Sequence, residues 1–596
     1  MQSTPPTGLR RYLPDIGTPA YHLMLAVVAI CILGPLGGIS AAFMNFSIGF
    51  FVGGQVLAGI LGSAVTLPYG PEGKHGANYM QTMAASVASM CGMAVLIQAR
   101  HWLGLPELPA WQLMVFYGCI GMFGGGIGML YTPVLVDRMH LNYPSGFAVA
   151  NILRALTDPQ LLRRSIAKLG GGMAIGYAVG FSTFKVAALS VTGISASTLG
   201  AGMIVGARIA IPALVVGLIG LWTTPHLVEI GWLAPGDPFR KIGFIIALGT
   251  ILGAALVDIT LILWEAWQHF RAKQPVNPEP KDDWKRVNFW RLVLWVAFWG
   301  AAVVLAGHFV MGEPLRYLLI AIGLCFLFVL VNGISLGISD SNPISSAFVL
   351  TVFILAAAGL TSPGTGLMCA SILLIACSVG GDMQQDRSTG WRLGTNRLVQ
   401  FRYQMIGIIF GAIFSVGLAQ VFLRAYPILK LDQFGAEIAG AQQWQSAMTY
   451  KLVGALRGIT ESQPHVMKAL WLGLSLGLVI ELARKIVKRS RAYQQFRDGS
   501  AKGRTTDFVL DAVILPSPYA SSFGGFVGIV TVLWWTAGGV GSSLFNTWAA
   551  KRQPAESKEA MPSDMSTTSL SGGGLIAGDS LAALSVGVYG LVRTIF

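Results

Sequence analysis

Two carboxylates four residues apart stand in Cys377-Ser-Val-Gly-Gly-Asp382-Met-Gln-Gln-Asp386-Arg-Ser-Thr-Gly390. On a continuing helix Asp382 and Asp386 share one face, and two close acids can hold a single proton between them. Gln384 and Gln385 add hydrogen-bonding groups suited to a polar solute, and the flanking glycines permit a break in the helix. Other ionisable residues sit inside long apolar stretches, where a lipid-facing charge costs about 3 kcal/mol and so must point inward. They are Asp258, Lys185, Arg208, Glu481 and Asp579. Glu481 has Arg484 and Lys485 at i+3 and i+4, which a helix-end ion pair explains. Lys185 and Arg208 either balance acids across the structure or attract a solute carboxylate. Asp382, Asp386, Asp579 and Asp258 are the candidates for carrying a proton, with Asp382 first among them. In Ser339-Asp340-Ser341-Asn342-Pro343, the Asn and Pro predict a turn between two apolar runs, holding Asp340 and Asn342 close to the membrane.

The sequence gathers no metal-ligating or nucleotide-binding pattern. It contains no H-E-x-x-H, P-loop or C-x-x-C, and its eight histidines are isolated. The six cysteines lie in apolar stretches and form no zinc or disulfide pattern. No metal site and no cofactor are expected. A membrane-embedded transferase acting on lipid-linked substrates is the alternative class, but it would need acids or histidines clustered at one interface.

The elements that must position these groups follow from composition. The 596 residues are 54% hydrophobic and only 11% charged, against roughly 25% charged in a soluble domain. Most of the chain must face lipid. The net charge of +14 lies in short links between apolar runs, which is the positive-inside pattern rather than a nucleic-acid footprint. About fifteen apolar segments are long enough to span, which predicts an all-α polytopic protein of about 14–16 transmembrane helices. Basic links at 266–289, 382–402 and 484–504 are expected on the cytoplasmic side. The spans counted ahead of the first link are odd in number, which would put that link outside, so one crossing is miscounted. The short, interrupted stretch 141–156 is the expected culprit, either crossing or entering and returning.

The expected organisation is a cytoplasmic segment 1–20, a first transmembrane half 21–265, a basic link 266–289 and a second half 290–596 with a polar loop at 547–571. Gly200–Ala210 and Gly572–Ala582 share Gly-x-Gly-x-Ile-x-Gly-x-x-x-Ala. At the same offset Pro144-Ser145 matches Pro516-Ser517, and at a different offset Ile39–Phe43 weakly echoes Ile344–Phe348. These matches predict internally duplicated halves with broken or re-entrant segments, as in secondary transporters. Interrupted helices expose backbone groups that only a cavity satisfies, so the broken segments are expected to border substrate near the midplane. Tyr143, Ser145, Asn151, Ser517 and Tyr519 would supply side-chain hydrogen bonds there.

Asp382-Met-Gln-Gln-Asp386-Arg-Ser-Thr-Gly390 resembles the D-M-x-Q-D-x-x-T-G signature of the oligopeptide transporter family, which includes the yellow-stripe-like metal-chelate transporters. Tyr143–Ala155, Gly200–Gly206 and Gly573–Leu581 resemble the family in the same order. Arg387-Ser388 and Asn151 depart from its usual pattern. The resemblance implies a cytoplasmic (inner) membrane protein of about sixteen helices. It also implies import of small peptides or peptide-like metal chelates by proton symport. Its partners would be that solute, protons and membrane lipids, with no nucleic acid. The sequence leaves the oligomeric state open, a homodimer included.

Overall fold

A computed structural model describes residues 11–595 apart from 48–53, 142, 158, 186–191, 193, 272–281, 340–341, 433–443, 445, 458–463, 527 and 553–565. Every regular element among the described residues is helical, and nine helices there are long and apolar enough to cross a membrane. The chain is an all-α polytopic membrane protein.

A first run comprises α1 (Pro19–Val28), α2 (Gly34–Ser47), α3 (Gly54–Thr66), α4 (Gly73–Gly92), α5 (Ala94–Trp102), α6 (Ala110–Thr132), α7 (Pro144–Thr157), α8 (Pro159–Lys185), α9 (Ala196–Val205), α10 (Ala207–Glu229) and α11 (Arg240–Arg271). After α12 (Phe289–Leu305) a second run follows: α13 (Leu315–Ser339), α14 (Ile344–Ala357), α15 (Pro363–Leu393), α16 (Arg397–Ala425), α17 (Ala447–Arg457), α18 (Pro464–Arg489), α19 (Arg491–Gly499), α20 (Ala501–Val509), α21 (Pro518–Phe526), α22 (Ile529–Arg552) and α23 (Thr567–Ile595).

Four helices, α4, α6, α15 and α16, form the centre. Glycine lets them approach closely, since helix association in lipid relies on packing. Gly124 and Gly128 of α6 lie against Ala376 and Gly380 of α15. Gly407 and Gly411 of α16 lie against Met83 and Met90 of α4. Two further pairs run side by side in the same direction. Gly172 and Gly176 of α8 pack on Ser571 and Leu575 of α23, while Gly249 and Gly253 of α11 pack on Leu470 and Leu474 of α18.

These contacts repeat. α3 and α2 pack on α4 as α14 and α13 pack on α15, and α8 meets α23 as α18 meets α11. Two backbone outliers repeat with them: Tyr143 (φ 46°) donates its amide to the carbonyl of Gly337, and Ser446 (φ 42°) donates to that of Phe46. Non-glycine residues in this left-handed region need support from their surroundings, and each outlier opens a short helix, α7 or α17. The counterparts run oppositely. Gln81 of α4 meets Asp386 of α15 while Ser89 meets Ser378, and Gly118 and Gly125 of α6 meet Ala412 and Met405 of α16. The repeat is therefore inverted.

Its register differs from the sequence matches, none of which joins counterparts. Gly200 lies directly against Gly572, so the two look-alike stretches are facing surfaces of one helix contact. Both are rich in small residues for the same packing reason.

The short helices enter and return. Arg457 at the end of α17 pairs with Asp432, which precedes it by 25 residues, at 2.5 Å. Likewise Gly146 of α7 lies beside Gln385, and Arg154 near its end donates to the carbonyl of Arg392. The stretch 141–156 thus re-enters and leaves the crossing count unchanged. The odd crossing is removed at Gly206 instead, where φ is +77°. Gly202 lies by the Trp535 carbonyl, Ala207 donates to Ser543 at 2.9 Å, and the Ala210 carbonyl accepts from Thr536 at 3.2 Å. The chain approaches Ser543 and turns back, so α9 and α10 form a hairpin and the crossings ahead of the first basic link become even.

One expected link is not a link. α15 continues through Asp382–Gly390 to Leu393 and ends at Gly394 (φ 70°). The glycines expected to break it are contact points: Gly380 faces Gly128, and Gly381 accommodates the Asn342 amide. Arg387, counted among exposed cytoplasmic charges, is buried. The link 266–289 and the loop 547–571 lie partly outside the described residues.

Candidate functional site

A polar stripe crosses the otherwise apolar centre. On α4, Asn78, Gln81, Thr82, Ser86 and Ser89 are all buried and recur at helical spacing toward α15 and α16. Asn78 Nδ2 donates to Gln81 Oε1 at 2.7 Å, and Gln81 Nε2 donates to Asp386 Oδ1 at 2.5 Å. From α16, Gln400 Nε2 donates to Thr82 Oγ1 at 2.9 Å and to the Asp386 backbone carbonyl at 2.8 Å. Thr389 Oγ1 donates to the Gly146 carbonyl at 2.9 Å, tying re-entrant α7 to the same seam. Asp386 is fully buried, and its Oδ2 has no hydrogen-bond partner among the described residues.

Arg387 lies next to it but faces α16. Its Nη2 donates to Gln404 Oε1 at 3.2 Å, while Nε and Nη1 meet no acceptor among the described residues. The unspent carboxylate oxygen and guanidinium donors are the groups a proton and a solute carboxylate would use. Asp382, one turn before Asp386, is partly exposed, so the pair reaches from the buried seam toward accessible space.

The other expected residues are placed as follows. Tyr143 and Tyr519 fall in one buried cluster with Ile251, Val331 and Leu336, and both segments pack on α13. The Tyr143 hydroxyl has no partner among the described residues. Ser145 and Asn151 are buried on α7, and Ser517 is partly exposed just ahead of α21. Asn342 bridges Asn332 and the Cys377 carbonyl, each at 3.1 Å. Gln384 faces the opposite side of α15 from Asp386, against Gly333 of α13, and Gln385 packs on Gly146. Asp579 accepts from the Ser197 amide at 2.9 Å, capping the start of α9. The Asp340 position and the side chains of Asp258 and Lys185 lie outside the described residues.

Arg208 balances acids: its Nη1 reaches Asp507 at 2.8 Å and Asp511 at 2.9 Å. Burial pushes the Asp507 carboxyl up, but hydrogen bonds from Tyr493 and Arg208 outweigh it and hold the group below its ordinary value. Asp137, unremarked in the sequence, and Arg397, one of the basic residues of the expected link 382–402, form a two-bond pair at 2.7 and 2.8 Å that pins the end of α6 to the start of α16. Removing one partner leaves a largely buried charge, so Asp137→Asn is expected to destabilise the protein by about 3 kcal/mol. A thermal-unfolding scan checks this, and Asp137→Asn/Arg397→Gln should regain part of the loss.

Asn78, Gln81, Gln400 and Gln404 are not among the residues expected from the sequence, and Arg387 is expected there in an exposed link. The signal was present in the helical spacing of the polar residues on α4 and the i, i+4 glutamines on α16.

The sequence profile of the OPT oligopeptide transporter protein family matches residues 23–588. The chain belongs to that family. A Haemophilus influenzae protein named as an oligopeptide transporter is 23% identical over 454 residues, 64% of this chain and 70% of that protein. An Arabidopsis thaliana protein named as a metal-nicotianamine transporter is 23% identical over 363 residues, 50% of this chain and 51% of that protein. The chain thus spans about half the length of the second relative. Membership makes the protein a multi-pass membrane transporter and not an enzyme, which removes the transferase alternative.

Proposed function

We propose that this transporter imports small oligopeptides or peptide-like metal chelates across the cytoplasmic membrane by proton symport, with Asp386 carrying the proton and Asp382 relaying it. The observation that supports this reading is the buried Asp386 carboxylate with one oxygen unspent, set between helices of the two inverted halves. A carboxylate inside a bilayer must face the interior and serve there. Asp386 replaces Asp382 as the first candidate because it is fully buried and accepts from Gln81 within the seam. Asp579 is occupied as a helix cap, which argues for a structural role.

Substrate would lie between the halves, where the Tyr143 and Tyr519 segments flank α13 and helix ends present backbone groups. Arg387 is suited to the solute's carboxylate. Proteoliposome uptake of a di- to tetrapeptide panel and an iron–nicotianamine chelate, with and without an inward proton gradient, tests the reading. Accumulation that follows the gradient is expected, and gradient-independent equilibration would contradict it.

An even number of crossings ahead of residue 272 puts the N-terminus, the basic link and the segment 489–504 on one side, proposed as cytoplasmic. Lys430 lies on the other. Single cysteines at Arg497 and Lys430 should react with a membrane-impermeant maleimide from opposite sides of intact cells. Labelling of both from outside would overturn the topology.

A further inference from the structure

Away from the central seam, the end of the molecule opposite the basic segment holds a second constellation of charge. A cavity of about 100 Å³ is lined by Arg100, His101, Glu107, Gln420, Arg424 and Lys430 among apolar residues. It lies where α5 ends, beside the C-terminal turns of α16. Arg100 forms its floor and is 8% exposed. Its Nη2 donates to the Pro106 carbonyl at 2.7 Å, and its Nη1 meets only the Met368 sulfur at 3.5 Å. Its Nε has no partner among the described residues. Among the described residues no carboxylate lies within ion-pair distance of it, although the buried Glu313 carboxylate is near enough to act on its charge. Burying an arginine without a paired anion is costly. The rim is cationic as well: Arg424 and Lys430 are exposed, and the single acid, Glu107, leans toward His101 at 3.9 Å.

We propose that this cavity is a carboxylate-binding site at the extracytoplasmic mouth, with Arg100 holding the carboxylate and Arg424 and Lys430 drawing it in. A planar guanidinium matches a carboxylate through paired hydrogen bonds, and the low-dielectric floor strengthens them. The exposed rim supplies a field that raises the local concentration of anions. A volume near 100 Å³ admits the end group of a solute or a small free carboxylate, not a whole peptide. The site rests on the transport reading only for the origin of its ligand. Captured there, the terminal carboxylate of a peptide or chelate would wait at the mouth before reaching the seam.

Calorimetric titration of the detergent-purified full chain tests the site with succinate, with trialanine and with trialanine amide. Succinate should bind, weakening as salt rises. Arg100→Gln should weaken it about tenfold, and Arg424→Gln/Lys430→Gln about threefold. Arg497→Gln, at the other end of the molecule, should leave binding unchanged. Should Arg100→Gln fail to fold, Arg100→Lys and the rim pair decide, since the rim residues are exposed. Trialanine binding through this site with loss in the amide assigns the ligand to the solute's own terminus. Succinate binding alone assigns it to a free anion. Absence of succinate binding, or binding equal in the Arg100 and rim variants, overturns the proposal. Arg100-dependent succinate binding in a protein that accumulates no peptide or chelate would keep the site and reject the transport reading.

Discussion

Asp386→Asn is expected to abolish proton-driven accumulation, by about a hundredfold or more, while leaving substrate exchange across the membrane intact. An amide has the shape of the protonated acid and can still accept from Gln81, but it cannot release a proton. The transporter would then shuttle with substrate at equal pH and lose its response to a gradient. Asp382→Asn should act more weakly, slowing proton delivery without removing the carrier, because Asp382 is only partly buried. Counterflow and gradient-driven uptake in the same proteoliposomes separate these outcomes. If Asp386→Asn kept its gradient response at normal expression, Asp382 would become the carrier. Gln81→Leu probes the support: it removes the donor to Asp386 Oδ1 and should reduce coupled uptake while the protein stays folded.

Gly477→Val is expected to remove folded protein from the membrane. A Cβ on Gly477 would meet the backbone carbonyl of Thr250, and neighbouring Gly473 faces the Ile246 carbonyl in the same way. Backbone cannot rotate aside as a side chain can, so α11 and α18 must separate along their length. That costs about 3 kcal/mol or more. The same fate is expected for Gly176→Val, which meets Leu575 in the matching α8–α23 pair. Gly417→Ala is the contrast, since nothing lies within 4 Å of its added Cβ. In mid-helix it should be neutral or stabilise by about 0.5–1 kcal/mol. Size-exclusion profiles and thermal scans of the three variants check the difference. A monodisperse, wild-type-like Gly477→Val would refute the close pairing.

Much of the fold could be read in the sequence because the constraint is simple. A chain this apolar and this poor in charge must satisfy its backbone internally, which leaves helices. The Asp382–Gly390 motif and the presence of inverted or parallel halves with broken segments could both be approached from residue types. Details that depend on which glycine does what could not. Gly206 turns the chain back, Gly380 merely touches Gly128, and Gly200 and Gly572 face one another, yet all stand in similar apolar, small-residue surroundings. A glycine permits both a break and a close contact, and only its partner decides. The polar stripe on α4 was hidden by the same logic in reverse. Its Asn, Gln, Thr and Ser residues carry no charge, so a scan for ionisable groups passed over the helix that holds Asp386.

The central claim is that solute and proton move together through Asp386. Proteoliposomes loaded with a pH-sensitive dye, with equal pH on both sides, test it directly when a transported peptide or chelate is added outside. The lumen is expected to acidify as the solute enters, and Asp386→Asn liposomes to exchange the solute with no acidification. Solute entry into wild-type liposomes without any change in lumenal pH, or equal acidification by the Asp386→Asn protein, would contradict it.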